Sequence, residues 1–409
     1  MGGVGDVQRR LRRHPPAPAR CSRRPRRVEV SGLSVLSLLL LIPALLLLGW
    51  LHTRFWTRYF RLDRGADETH RVETADGWML ALHRYKPARR RFREPVLLCH
   101  GMGANRFNFD LADDRSLART LASRGFDVFS LELRGAGQSL RPARFGRRRA
   151  DYDFDTHLEK DIPAAVAHVR ASCGGEPVFW IGHSMGGMLG LARLGLRGDH
   201  GIKGLVAVAS PVMLRRSRSA RFFLPLVRLM ALSPVVHFRA WARFFSPFFG
   251  WGLATLSTVA VSRRGLEGAL LRRAMVNLVD DTSGRLLRQF IGWIRNERFC
   301  SRDGTRDYLA NLAKIEEPVL VLGAEADRLA PPASVEPAYE RLGSRDKQVR
   351  IFGINRGDDF DFGHGDILIG SMARKVVYPE ILVWLKARAT RLPKKDSPSE
   401  RPASTPPGA

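Results

Sequence analysis

The sequence predicts an α/β fold, a mostly parallel sheet flanked by helices, standing behind an N-terminal transmembrane helix. Three observations carry that expectation. Short apolar runs of strand length alternate with stretches of helical spacing from residue 66 to residue 390, the pattern of successive βαβ units. The pentapeptide GHSMG at 182–186 falls between one such run and one such stretch. Near the N-terminus, Leu33 to Leu51 (LSVLSLLLLIPALLLLGWL) is free of charge and matches the hydrocarbon thickness of a bilayer at about 1.5 Å per residue.

The 409 residues, 44% of them apolar, are enough for a full core and more than one unit. The formal net charge of +27 raises nucleic acid as a partner. Only nine of the 67 basic residues are Lys, an imbalance that a GC-rich coding sequence produces, and no finger, helix-turn-helix or RNA-binding signature accompanies the charge. No nucleic-acid partner is therefore expected, whereas anionic lipid headgroups suit the charge. Cysteines at 21, 99, 173 and 300 are too scattered for a disulfide framework or a metal site, and a Cys173–Cys300 bridge is left open. Without HExxH, a cysteine cluster or a phosphate loop, neither metal nor cofactor is expected.

Residues 1–32 form a basic arm, Arg/Pro-rich over 9–27 and expected to be disordered. The span 33–51 is expected to be a single-pass anchor, since it exceeds a signal-peptide core and lacks an A-x-A-like cleavage site. Nine arginines precede it, from Arg9 to Arg27, against Arg54, Arg58, Arg61 and Arg64 after it, which predicts a cytoplasmic N-terminus and a catalytic domain outside the cytoplasm. Trp50, Trp56 and Tyr59 then fall at the far interface.

A hairpin follows in HRVETADGWMLALHRY, turning at Asp76-Gly77. Strands are predicted at 96–100, 127–133, 177–183, 204–210, 318–323 and 348–353, and helices at 111–124, 157–172, 185–197 and 375–388. The Pro/Ser-rich residues 391–409 predict a flexible tail.

GHSMG fits G-x-S-x-G in the context its chemistry needs, a sharp strand-to-helix turn that exposes Ser184 Oγ, with Gly182 and Gly186 making room. Serine is a poor nucleophile unless a base takes its proton, so an acid and a histidine are sought downstream. With HGMGAN at 100–105, ELRGAGQS at 132–139, GAEADRLAPP from 323 and FGHGDILIG at 362–370, the chain resembles the α/β-hydrolase superfamily, its lipase and esterase members among them. The resemblance covers roughly 66–390. It implies Ser184 as nucleophile, His364 as base and Asp327 as orienting acid, with Glu325 the fallback. It also implies an oxyanion hole made by the backbone N–H groups of Met102 and Met185.

The family inserts a cap where residues 212–312 stand here, so 66–211 and 313–390 form the core. Residues 221–253 interleave large apolar side chains with Arg, making Phe222, Phe223, Phe244 and Phe245 candidate substrate contacts. The expected activity is hydrolysis of apolar or lipid-like carboxylic esters through an acyl-enzyme. An acyltransferase or thioesterase using the same triad, and a catalytically silent membrane-anchored binding protein, are the alternatives.

Overall fold

The structure is a computed structural model that describes residues 32–139, 151–196, 198, 200–214, 225–250 and 265–393. The basic arm before Gly32, the pair Phe222 and Phe223, and the tail beyond Pro393 lie outside the described residues. Two compact units are distinguished, Met1–Leu51 and His52–Ala409.

In the first unit begins helix α1 (Gly32–Phe60), which runs past the charge-free stretch and takes in Arg54 and Arg58. Its 22 residues Leu39–Phe60 make it the one helix among the described residues long and apolar enough to cross a membrane. Leu39 to Leu48 are exposed throughout, so no protein core explains their apolarity.

The second unit is built on eight strands: β1 (Glu68–Glu73), β2 (Met79–Tyr85), β3 (Val96–Cys99), β4 (Val128–Glu132), β5 (Val178–His183), β6 (Ile202–Val208), β7 (Val319–Ala324) and β8 (Lys347–Phe352). They pair in the order β1-β2-β4-β3-β5-β6-β7-β8. β2 runs antiparallel to both neighbours and every other pairing is parallel. Each predicted strand is present within two residues of its expected ends. The central strands are buried along their whole length, as VLLC and VFWIGH require when helices cover both faces. At the β1–β2 turn Gly77 adopts φ 79°, the left-handed conformation that a tight Asp-Gly turn demands.

Alternation along the strands divides the core into two layers. Leu97, Trp180, Leu205 and Val321 face α3 (Ile162–Ser172), α4 (Met185–Leu194) and α8 (Pro332–Arg341). Leu98, Phe179, Val206 and Leu322 face α2 (Leu117–Ser123) and α9 (Ala373–Arg388). The predicted helix 111–124 is shorter than expected. Asp110–Ala112 and Arg115–Ser116 pair as a small ribbon instead, and Ser116 Oγ then caps α2 by accepting the Arg119 N–H.

Between β6 and β7 the described chain is mostly helical: α5 (Phe238–Phe245), α6 (Gly268–Asn277) and α7 (Gly284–Asn296). A short ribbon pairs Val235–Val236 with Thr282–Ser283, and Ser283 Oγ caps α7 by accepting N–H groups of Arg285 and Leu286. Cys99, Cys173 and Cys300 are free thiols. The first tail residues are held down, with Arg391 bridged to Phe92 and the Leu392 N–H donating to Arg91 O.

Candidate active site

β5 ends at His183, α4 begins at Met185, and the residue between them is Ser184 with φ 53° and ψ −120°. A non-glycine residue rarely sits there, and the strain is tolerated only where the surroundings enforce it. Here the enforcement is visible. The Ser184 N–H donates to Val208 O (2.8 Å), so the turn is stitched to the end of β6. A Cβ on Gly182 would lie 2.3 Å from Gly186 carbonyl atoms, and one on Gly186 would lie 2.1 Å from Cys99 O. Neither position accepts a side chain, and the tight turn carries Ser184 to the carboxyl edge of the sheet.

Beside it runs the loop after β3. A Cβ on Gly101 would come within 3.1 Å of Ser184 Cβ, which measures how closely this loop passes the serine. His100 anchors it: its Nε2 accepts the Leu133 N–H (3.1 Å), so the network assigns the ring proton to Nδ1, which donates to Gly101 O (2.8 Å). Burial pushes the His100 pKa down to about 4, keeping the ring neutral as this pattern needs. The N–H of Met185 lies in the first turn of α4 and has no intrahelical acceptor. Neither it nor the Met102 N–H donates to a protein acceptor among the described residues.

The loops after β7 and β8 supply the acid and the histidine. Asp327 Oδ1 accepts N–H groups of Leu329 (2.8 Å) and Ala330 (2.7 Å), and Oδ2 accepts from His364 Nδ1 (2.7 Å). Burial by itself pushes this carboxyl up, but the facing His364 and these hydrogen bonds outweigh it and hold Asp327 below the usual carboxylate range. Nδ1 therefore carries the proton and Nε2 is the basic nitrogen. Glu325, the fallback, bonds Asn355 instead (3.1 Å). Asp358 pairs with Arg350, Asp361 accepts the Ile354 N–H, and Asp366 accepts the Gly363 N–H, so none of them is the partner of His364. From beneath, His183 Nε2–H donates to His364 O (2.8 Å), and burial, reinforced by His364, lowers its pKa to about 3.

Ser184, His364, Gly101 and Met102 line one cavity of about 460 Å³. The rest of its wall is almost wholly apolar: Leu271, Ala274 and Met275 from α6, Leu287, Phe290, Ile291 and Ile294 from α7, Leu214 and Leu329 from loops, and Val227 from the helical run 225–230. Positions 287, 290, 291 and 294 form one helical stripe. The expected contacts Phe244 and Phe245 are not in that wall. Phe244 packs on His52 (ring centroids 5.0 Å apart) and Phe245 stacks on Trp241 (5.6 Å), because α5 turns Arg239 and Arg243 rather than these two rings toward the rest of the unit.

The sequence reading missed Asp280. Its buried carboxylate accepts from Asn105 Nδ2 (2.9 Å) and the Gly137 N–H (2.6 Å) and pairs with Arg239, while its N–H donates to Gly103 O (2.8 Å). Asp280 thus ties the helical stretch to the loop that holds Met102. The only local signal is a pair of acids closing the apolar run VNLVDD, and nothing local links it to residue 103.

A family model described as serine aminopeptidase, S33 matches residues 90–353, well over half of the chain. The chain belongs to this α/β-hydrolase family. Among curated relatives, this chain is 31% identical over 133 residues to the human lysosomal acid lipase/cholesteryl ester hydrolase (30% of this chain, 33% of the relative). It is 30% identical over 163 residues to triacylglycerol lipase 2 of Arabidopsis thaliana (36% of this chain, 37% of the relative). The chain thus spans about a third of the length of these relatives. An esterase from Exiguobacterium antarcticum shares the fold, with a TM-score of 0.51 and 17% identity over 79% of this chain and all of that one.

Proposed function

We propose that this hydrolase cleaves carboxylic esters with an apolar acyl chain through an acyl-enzyme on Ser184. The observation that carries the proposal is the shared apolar cavity: a strained serine and a carboxylate-oriented histidine open into one greasy wall. The lipases among its relatives support the same substrate class.

In this reading Ser184 Oγ attacks the ester carbonyl carbon while its proton passes to His364 Nε2. The imidazolium so formed is held by ionised Asp327. The carbonyl electrons move onto oxygen, which accepts hydrogen bonds from the N–H groups of Met102 and Met185. Collapse breaks the bond to the alcohol oxygen, which leaves with the proton from His364. Water then repeats the sequence on the acyl-enzyme, releasing the carboxylic acid and freeing Ser184. Residues 212–312 act as a cap whose α6 and α7 hold the acyl chain. Helix α1 serves as a single-pass membrane anchor with the N-terminus cytoplasmic, supported by its length, exposure and arginine asymmetry.

The test is fluorophosphonate labelling of the membrane fraction after carbonate washing, with an ester series of graded acyl length. The expected result is a labelled, carbonate-resistant band and hydrolysis that rises from acetyl to longer acyl groups. A protein that fails to label, or that is fastest on acetyl esters, refutes the corresponding part.

A further inference from the structure

Helix α5 is built inside out. Its cationic side faces the protein: Arg239 pairs with buried Asp280, its N–H donates to Asp281 Oδ1 (3.0 Å), and half-buried Arg243 points Nε at Val276 O (3.5 Å). Ala242 and Ser246 complete this inward face. Phe238, at its first turn, packs inward beside Val236 and Phe245 is half-buried, but the other aromatic residues face out, with Trp241 56%, Phe244 37% and, just past the helix end, Phe248 48% exposed. A helix resting in water has the opposite arrangement, apolar stripe inward and charges outward.

The last turns of α1 continue that outward face. Phe55 and Tyr59 are 59% and 68% exposed, and Arg54 and Arg58 are exposed beside them. His52 joins the two helices: Nε2–H donates to Phe244 O (2.9 Å), and its ring lies 5.0 Å from Phe244 and stacks on Phe248 at 6.0 Å. His52 to Phe60 belong to the same apolar helix, Leu39–Phe60, that reads as the anchor. Aromatic rings with arginines between them are the composition that settles at the headgroup level of a bilayer, where the rings meet acyl chains and the cations meet phosphate.

We propose that Trp241, Phe244 and Phe248, together with Phe55 and Tyr59, form a surface that docks into the interface of a bilayer containing anionic lipid. The cap would then sit in the membrane, and an apolar ester would reach the cavity from the lipid phase without crossing water. The proposal rests on the reading of α1 as an anchor and deepens it, adding a second contact made by the cap.

The test uses the full-length protein in phosphatidylcholine vesicles carrying phosphatidylglycerol, with phosphatidylcholine brominated near the headgroup as the quencher. Trp50 and Trp56 respond in any anchored form, so the reading is the difference between wild type and Trp241→Phe. The expected difference emission is quenched by bromolipid and shielded from acrylamide. Quenching by acrylamide alone would place Trp241 in water, and shielding from both quenchers would place it against protein, such as a second copy; either overturns the proposal. In a second arm, Trp241→Ser/Phe248→Ser keeps wild-type turnover of a soluble short-chain ester but loses tenfold or more on a long-chain ester dissolved in the vesicles. Equal turnover of the vesicle-borne ester by both proteins overturns the proposal as well. A wild type inactive on every ester counts against the hydrolase reading, and the quenching arm still decides the surface.

Discussion

At residue scale the site depends on one hydrogen bond whose direction is set by charge. Asp327 stays ionised because His364 and two backbone N–H groups favour its anion more than burial opposes it. An ionised acceptor fixes the proton on His364 Nδ1 and leaves Nε2 unprotonated, as the proposed role of His364 as base requires. Asp327→Asn keeps the shape but presents a donor or a weaker acceptor, favouring the wrong tautomer. Turnover should fall by about three to four orders of magnitude with little change in KM. Ser184→Ala and His364→Ala should each cost roughly 10⁵-fold or more, with near-wild-type thermal midpoints. Steady-state kinetics on a chromogenic ester checks all three, and wild-type turnover in Asp327→Asn would refute that role.

At the scale of elements, α7 offers the cavity a stripe at positions 287, 290, 291 and 294, so acyl length should be read along one helix. Each methylene buried there is worth up to ~0.8 kcal/mol, close to a fourfold gain in kcat/KM per carbon. Ile291→Trp fills the wall and should shift the preferred ester shorter, leaving acetyl ester hydrolysis within about threefold. Comparing kcat/KM for acetyl, butyryl and octanoyl esters in both proteins measures the shift. An unchanged profile would mean the acyl chain lies elsewhere. The same element scale explains the ties of Asp280: they help hold the stretch between β6 and β7 to the loop after β3.

For the whole molecule, the buried histidines couple stability to pH. His100 and His183 are held neutral by burial, with pKa values of about 4 and about 3 against an ordinary 6.5. The folded values lie below the unfolded one, so the unfolded chain takes up protons first as the solution is acidified. The neutral-ring contribution is therefore complete above pH ~6.5 and is lost progressively toward pH ~4 for His100 and toward pH ~3 for His183. At pH 5 the loss is roughly 2 kcal/mol per histidine, taking about 1.4 kcal/mol per pH unit. The thermal midpoint in detergent should drop between pH 7 and pH 5, and His100→Gln should remove about half of that drop. A variant with the full wild-type drop would show that His100 titrates normally.

Much of this protein is legible without its structure. The central strands lie where apolar runs of four to seven residues place them, and the turn at Ser184 is foreshadowed by GHSMG, because strand periodicity and turn sterics act over a few neighbouring residues. Tertiary structure decided what depends on distant parts of the chain. It chose Asp327 over Glu325 and the later aspartates as the partner of His364, a choice between side chains crowded into two loops. It lined the cavity with α6 and α7 rather than with Phe244 and Phe245, and it brought Asp280 to Gly103. Helical spacing shows that a segment has an apolar face and a charged one. Which of them turns inward is settled by the acids it meets, and for α5 those are Asp280 and Asp281, more than thirty residues further along the chain.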